Sequence, residues 1–128
     1  MTKSIRKPTN ADCTRVFSDR QEKAVASLTG GTQTVNSGAT RFTKGDVVCR
    51  DIGLMIECKT CTKDRDSFSI RKEWVEKDSA EGFGSRLPHQ AIAFNFGPGS
   101  RENLFVIDES LMSVLLDALR RDASEENS

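Results

Sequence analysis

The chain has 128 residues, enough for one hydrophobic core but not two, with 36% hydrophobic and 30% charged residues and no net charge. No apolar run approaches the roughly 20 residues that cross a bilayer, and the basic opening Met1 to Pro8 lacks the apolar segment of a secretory leader. A cytoplasmic protein with no membrane partner is expected. The neutral total argues against indiscriminate coating of nucleic acid, but the charge is unevenly spread. Residues 1–72 carry 14 Lys and Arg against 8 Asp and Glu, and residues 73–128 carry 5 against 11, so the first half suits a phosphate backbone.

Residues 1–16 are polar and without period, and a flexible arm is expected there. Ser18 and Gln21 form a capping-box pattern, Asp19 suits the positive end of a helix dipole, and Ala24, Val25 and Leu28 make an apolar stripe that ends at Gly30-Gly31. Thr32 to Val35 is β-prone and leads into the loop Asn36-Ser37-Gly38-Ala39-Thr40, flanked by Arg41 and Lys44 as candidate phosphate partners. Two apolar runs follow, Lys44 to Arg50 and Leu54 to Thr60, and the short break between them reads as the turn of an antiparallel hairpin.

Residues 61–67 are charged and turn-like, and their Lys63 and Arg65 lie just beyond the second hairpin strand. A second helix is expected from Ile70 to Gly82, with Trp74 as a core anchor and Arg71, Lys72 and Lys77 on its polar face. From His89 to Phe96 bulky Ile92, Phe94 and Phe96 alternate with Ala91, Ala93 and Asn95, as in a strand against which a helix packs closely. Asn103 to Ile107 is the last strand. Asp108 can cap a final helix whose Leu111, Met112, Leu115, Leu116 and Leu119 form one stripe, with Arg120-Arg121 at its negative end and a disordered acidic tail at residues 122–128. The single folded domain then spans residues 17–121. The stripe closes the core, and any exposed part of it would serve a homodimer.

Chemistry concentrates in the hairpin. Side chains alternate along a strand, so Glu57 and Lys59 share one face while Ile56 and Cys58 share the other, and a carboxylate on a hydrophobic strand is costly unless something compensates it. A hard cation such as Mg²⁺ would, with Asp46 and Glu57 as oxygen ligands and a strand carbonyl and waters completing its shell. Lys59 would then orient an attacking water or stabilise charge on an attacked phosphate. The geometry makes one demand. A three-residue loop with Arg50 opposite Leu54 would set Asp46 opposite Cys58, away from Glu57, so the site requires a two- or four-residue connection or a β-bulge. Cys58-Lys59-Thr60-Cys61 has the gap of a zinc knuckle, but Cys13 and Cys49 make no second pair, so buried reduced thiols are expected and zinc is not.

Gly45-Asp46 followed by Glu57-Cys58-Lys59 resembles the signature of the PD-(D/E)xK nucleases, and its surroundings are similar to the archaeal-type Holliday junction resolvases and their phage-encoded relatives, with glycine in place of the signature proline. The resemblance covers roughly residues 17–120. It implies an α/β, restriction-endonuclease-like αβββαβ core with a mixed central sheet flanked by helices. It further implies Mg²⁺ dependence with Mn²⁺ as substitute, no nucleotide cofactor, branched DNA as partner, a two-fold homodimer and a role in DNA recombination, in a host cytoplasm if phage-encoded. Relatives place a metal-site glutamate on the opening helix, and Glu22 matches it, although by position alone Glu22 reads as a surface glutamate. The Ser-Gly pair at the lip of their site matches Ser37 and Gly38. The Cys58 backbone carbonyl is the implied third metal ligand, with Lys63, Arg65, Arg71 and Lys72 facing DNA. A nicking or end-processing nuclease of the same superfamily, or an inactive DNA-binding protein on this scaffold, are the alternatives.

Overall fold

The computed structural model describes residues 10–34, 46–100 and 102–127, with side chains from Val16 onward. Among them the elements are α1 (Asn10–Thr29), β1 (Thr32–Gln33), β2 (Val47–Cys49), β3 (Leu54–Lys59), α2 (Lys72–Gly84), β4 (His89–Phe94), β5 (Leu104–Ile107) and α3 (Glu109–Glu126). The strands lie side by side in chain order as one open, mixed sheet. Every neighbouring pair is antiparallel except β3 and β4 at the centre, which run parallel from Leu54 opposite His89 to Lys59 opposite Phe94. Parallel neighbours need a crossover, and α2 supplies it. The fold is therefore α/β, with the element order expected from the sequence.

Strand alternation divides the core. On one face Val47, Cys49, Ile56, Ala91 and Ala93 pack against Val25 of α1, and the small alanines of β4 let that helix approach. Burying Val25 completely contributes about 1.5–3 kcal/mol. On the other face Val48, Met55 and Leu87 form a smaller cluster. Gly82 of α2 belongs to this side: a Cβ there would collide with the Gln90 amide nitrogen and come within 2.7 Å of the Leu87 carbonyl, so glycine sets how closely α2 lies against β4.

Three expectations about helix ends need correction. The first helix starts at Asn10, not Ser18, because nothing between Pro8 and Gly30 breaks it; Ser18 lies inside it, and Asp19 pairs with Lys23 (2.9 Å) rather than capping anything. Its buried line is Gln21 and Val25, while Ala24 is exposed and Leu28 is 71% exposed. Gly30, at φ 74°, does end it. The second helix begins two residues later than expected, leaving Arg71 as its N-cap residue. The third is capped by Asp108 as expected, its Oδ1 accepting from the Leu111 amide at 2.8 Å, but it continues through Glu126. Residues 122–126 are thus helical rather than a disordered tail, since no glycine or proline interrupts them. The stripe does not close the core either. Of the α3 residues only Leu111 is buried, and Met112, Val114, Leu115 and Leu119 are exposed.

Gln21 ties the layers together. Its Nε2 donates to the carbonyls of Lys59 (2.7 Å) and Ala93 (3.3 Å) and to Asn103 Oδ1 (3.1 Å). One buried amide therefore joins α1 to the ends of β3 and β4 and to the segment before β5.

Candidate metal centre

Cys49 opposite Leu54 is the last pair of the hairpin, so Arg50 to Gly53 form a four-residue connection closed by Ile52 N–H donating to the Cys49 carbonyl (3.3 Å), with Gly53 at φ 65°. This is one of the connection lengths that the site demands. At the other end a bulge follows. Ile56 pairs with Val47, yet its carbonyl also accepts from the Asp46 amide (3.0 Å), so two residues of one strand address one of the other. The bulge sets the Asp46 carboxylate at the end of β2, where Oδ2 accepts from the Cys58 amide at 2.8 Å. The Asp46 carbonyl accepts from Thr34 N–H (2.9 Å), which fixes the same residue to the strand on its other side.

Asp46 stands electrostatically between Glu22 of α1 and Glu57 of β3. Burial, then the charge of Asp46 and a hydrogen bond with it, push Glu22 up to about 7, opposed by the Gln33 amide. Burial and next the Asp46 charge push Glu57 up, while Lys59 and Lys77 hold it down. The same acids add to burial in pushing the Cys58 thiol up, so it stays protonated. Lys59 Nζ lies 3.6 Å from Glu57 Oε1 and 4.5 Å from the centre of the Trp74 ring. Trp74 is half-buried and, contrary to expectation, serves less as a core anchor than as a platform for that ammonium.

Asp46 thus interacts with Glu22 and with Glu57, and Lys59 pairs with Glu57, but the acids among the described residues whose oxygens lie within 4.8 Å of one another are Glu57, Asp78 and Glu81. Ser37, Gly38, Arg41 and Lys44 lie outside the described residues. Lys63 and Arg65 are exposed on a loop held by Asp64 Oδ1, which accepts from the Gly99 amide (2.7 Å). Arg71 and Lys72 are exposed but pair with the nearby acids Glu73 (3.3 Å) and Glu76 (3.6 Å). Cys49, Cys58 and Cys61 are free thiols.

Two acids at this centre escaped the sequence reading. Asp78 and Glu81 of α2 each bring an oxygen within 4.8 Å of one from Glu57. Asp78 is 3% exposed, and burial followed by the charges of Glu57 and Glu81 pushes it up to about 7. The signal was its position four residues after Trp74 and four before Gly82, the one helical face that must meet the sheet.

The donor set is all oxygen, its carboxylates repel one another, and together they fit a hard divalent cation better than a thiophilic one. No helix among the described residues is long and apolar enough to cross a membrane. No family model, curated protein or solved structure matches this chain.

Proposed function

We propose that the protein is a Mg²⁺-dependent, structure-selective DNA endonuclease of the PD-(D/E)xK type, resolvase-like in substrate, with Mn²⁺ able to substitute. The observation that carries this reading is that Asp46, at the end of a hairpin with a four-residue connection, interacts with both Glu22 and Glu57, while the Lys59 ammonium lies 3.6 Å from Glu57. Element order and a mixed sheet support the restriction-endonuclease-like core. Asp46 and Glu57, with the Cys58 carbonyl, would hold the cation, and Glu22 would assist directly or through water. A bound Mg²⁺ supplies Lewis acidity at phosphorus. Lys59, steadied over Trp74, positions the attacking water and offsets charge on the phosphate. Lys63 and Arg65, exposed beyond β3, would meet the DNA backbone. The apolar side chains that α3 leaves in solvent support a two-fold dimer, which suits a junction with two symmetric strands to cut.

The test is incubation of labelled four-way junction, nicked duplex and plain duplex DNA with protein and Mg²⁺, beside Asp46→Asn. Symmetric cuts confined to the junction are expected from the wild type and none from the variant. Cutting at nicks or ends would assign an end-processing nuclease instead. Equal activity in the variant would remove Asp46 from the chemistry.

A further inference from the structure

Asp78 is the most deeply buried acid among the described residues, and its Oδ2 has no hydrogen-bond partner. Buried carboxylate oxygens are ordinarily met by donors, and here the neighbouring groups are two more carboxylates. Glu57, Asp78 and Glu81 each place one oxygen within 4.8 Å of the others. The two ammonium groups nearby are engaged at the rim: Lys59 Nζ is 3.6 Å from Glu57 Oε1, and Lys77 Nζ is 3.7 Å from Glu81 Oε1. Neither pair includes Asp78. Asp78 and Glu81 are three residues apart on one face of α2, and Gly82 allows that face to approach the sheet closely enough to meet Glu57.

We propose that Glu57, Asp78 and Glu81 form a second binding site for an oxygen-liganded divalent cation, between α2 and β3. Ca²⁺ holds oxygen ligands at about 2.3–2.6 Å in flexible geometry, so three oxygens within 4.8 Å of one another are near enough for one such ion to draw together. Mg²⁺, with shorter bonds of about 2.1 Å and strict octahedral geometry, would draw the three groups closer together than Ca²⁺ does. The site shares Glu57 with the proposed nuclease centre but does not depend on cleavage. Its ion would pin α2 to the sheet and hold the Glu57 carboxylate from a second side.

The probe is Tb³⁺, excited through Trp74, the chain's single tryptophan, whose ring already lies over Lys59. Full-length protein is titrated with Tb³⁺ and the emission competed with Ca²⁺. Sensitised emission is expected from the wild type and from the surface control Glu76→Gln. Apparent affinity should be weakened at least about ten-fold in Asp78→Asn and in Glu81→Gln. Far-UV circular dichroism checks that each variant is folded, and Glu81→Gln, at the rim, carries the test should Asp78→Asn not fold. In parallel, Ca²⁺ should raise the thermal midpoint of the wild type more than that of Glu81→Gln. Tb³⁺ affinity that both substitutions leave unchanged in an Asp46→Asn background, or that Glu76→Gln lowers equally, overturns the site. Failure of the nuclease reading would appear elsewhere, as cleavage indifferent to Asp46→Asn.

Discussion

The Asp46 carboxylate accepts a 2.8 Å hydrogen bond from the amide of Cys58, so an acidic side chain meets a backbone donor of β3 beyond the last paired residue of β2. The sheet itself therefore orients this carboxylate. Asp46→Asn keeps an acceptor oxygen and should fold normally, yet lower Mg²⁺-dependent cleavage at least about 100-fold through loss of the charge. Asp46→Ala should in addition lower stability by about 1–3 kcal/mol, because the Cys58 amide loses its partner. Single-turnover cleavage and urea unfolding of the two variants separate these effects.

Lys59 is held over Trp74 rather than free to wander. Lys59→Ala should reduce the single-turnover rate by about two orders of magnitude. Trp74→Leu, which leaves the ammonium in place but unsupported, should give a smaller loss, about ten-fold, with DNA affinity unchanged. A Trp74→Leu variant that loses DNA binding instead would make Trp74 a nucleic-acid contact.

The acids of the centre set a pH dependence with a definite sign. Asp78 and Glu22 are raised from ordinary values of 3.8 and 4.5 to about 7 in the folded protein, chiefly by burial. The folded state then holds protons that the unfolded state has released, so stability falls as pH rises from about 4 to about 7 and levels off above. Chelator-treated protein should be more stable at pH 5 than at pH 8, and Asp78→Asn should flatten the slope, gaining roughly 2 kcal/mol at pH 8. Urea unfolding across that range measures it, and a slope of opposite sign would contradict the burial of these acids.

Leu115 and Leu119 are 45% and 65% exposed on α3. If that face joins two copies, Leu115→Glu with Leu119→Glu should convert the dimer to monomer in sedimentation velocity, with little change in thermal midpoint of the monomer. Paired symmetric cutting should be lost with it. A wild type that sediments as a monomer at micromolar concentration would remove the dimer.

Much of this arrangement was legible in residue order. Alternation along β3 and β4, the Gly30 stop and the Asp108 cap follow from local chemistry, and the structure repeats them. The hairpin parity was legible only as a requirement, because a four-residue connection and a three-residue one leave the same pattern of apolar residues. Helix ends without a breaker, at Asn10 and Glu126, carried no signal against the nearer cap and dipole patterns at Ser18 and Arg120-Arg121. Asp78 was hidden for another reason. Charged residues are assigned to the outside of a helix by default, and only the tertiary position of α2 over Glu57 turns this one inward.

Gln21 grips the backbone of Lys59, and the very next residue, Glu22, faces Asp46. Successive helical residues are about 100° apart, so a rigid α1 cannot rotate one of them without swinging the other. The exposed flank of that helix, where Arg20 and Lys23 stand, is therefore joined through adjacent residues both to an acid and to the strand bearing the ammonium. Val25, fully buried against the sheet, is the point about which any such rotation would have to turn.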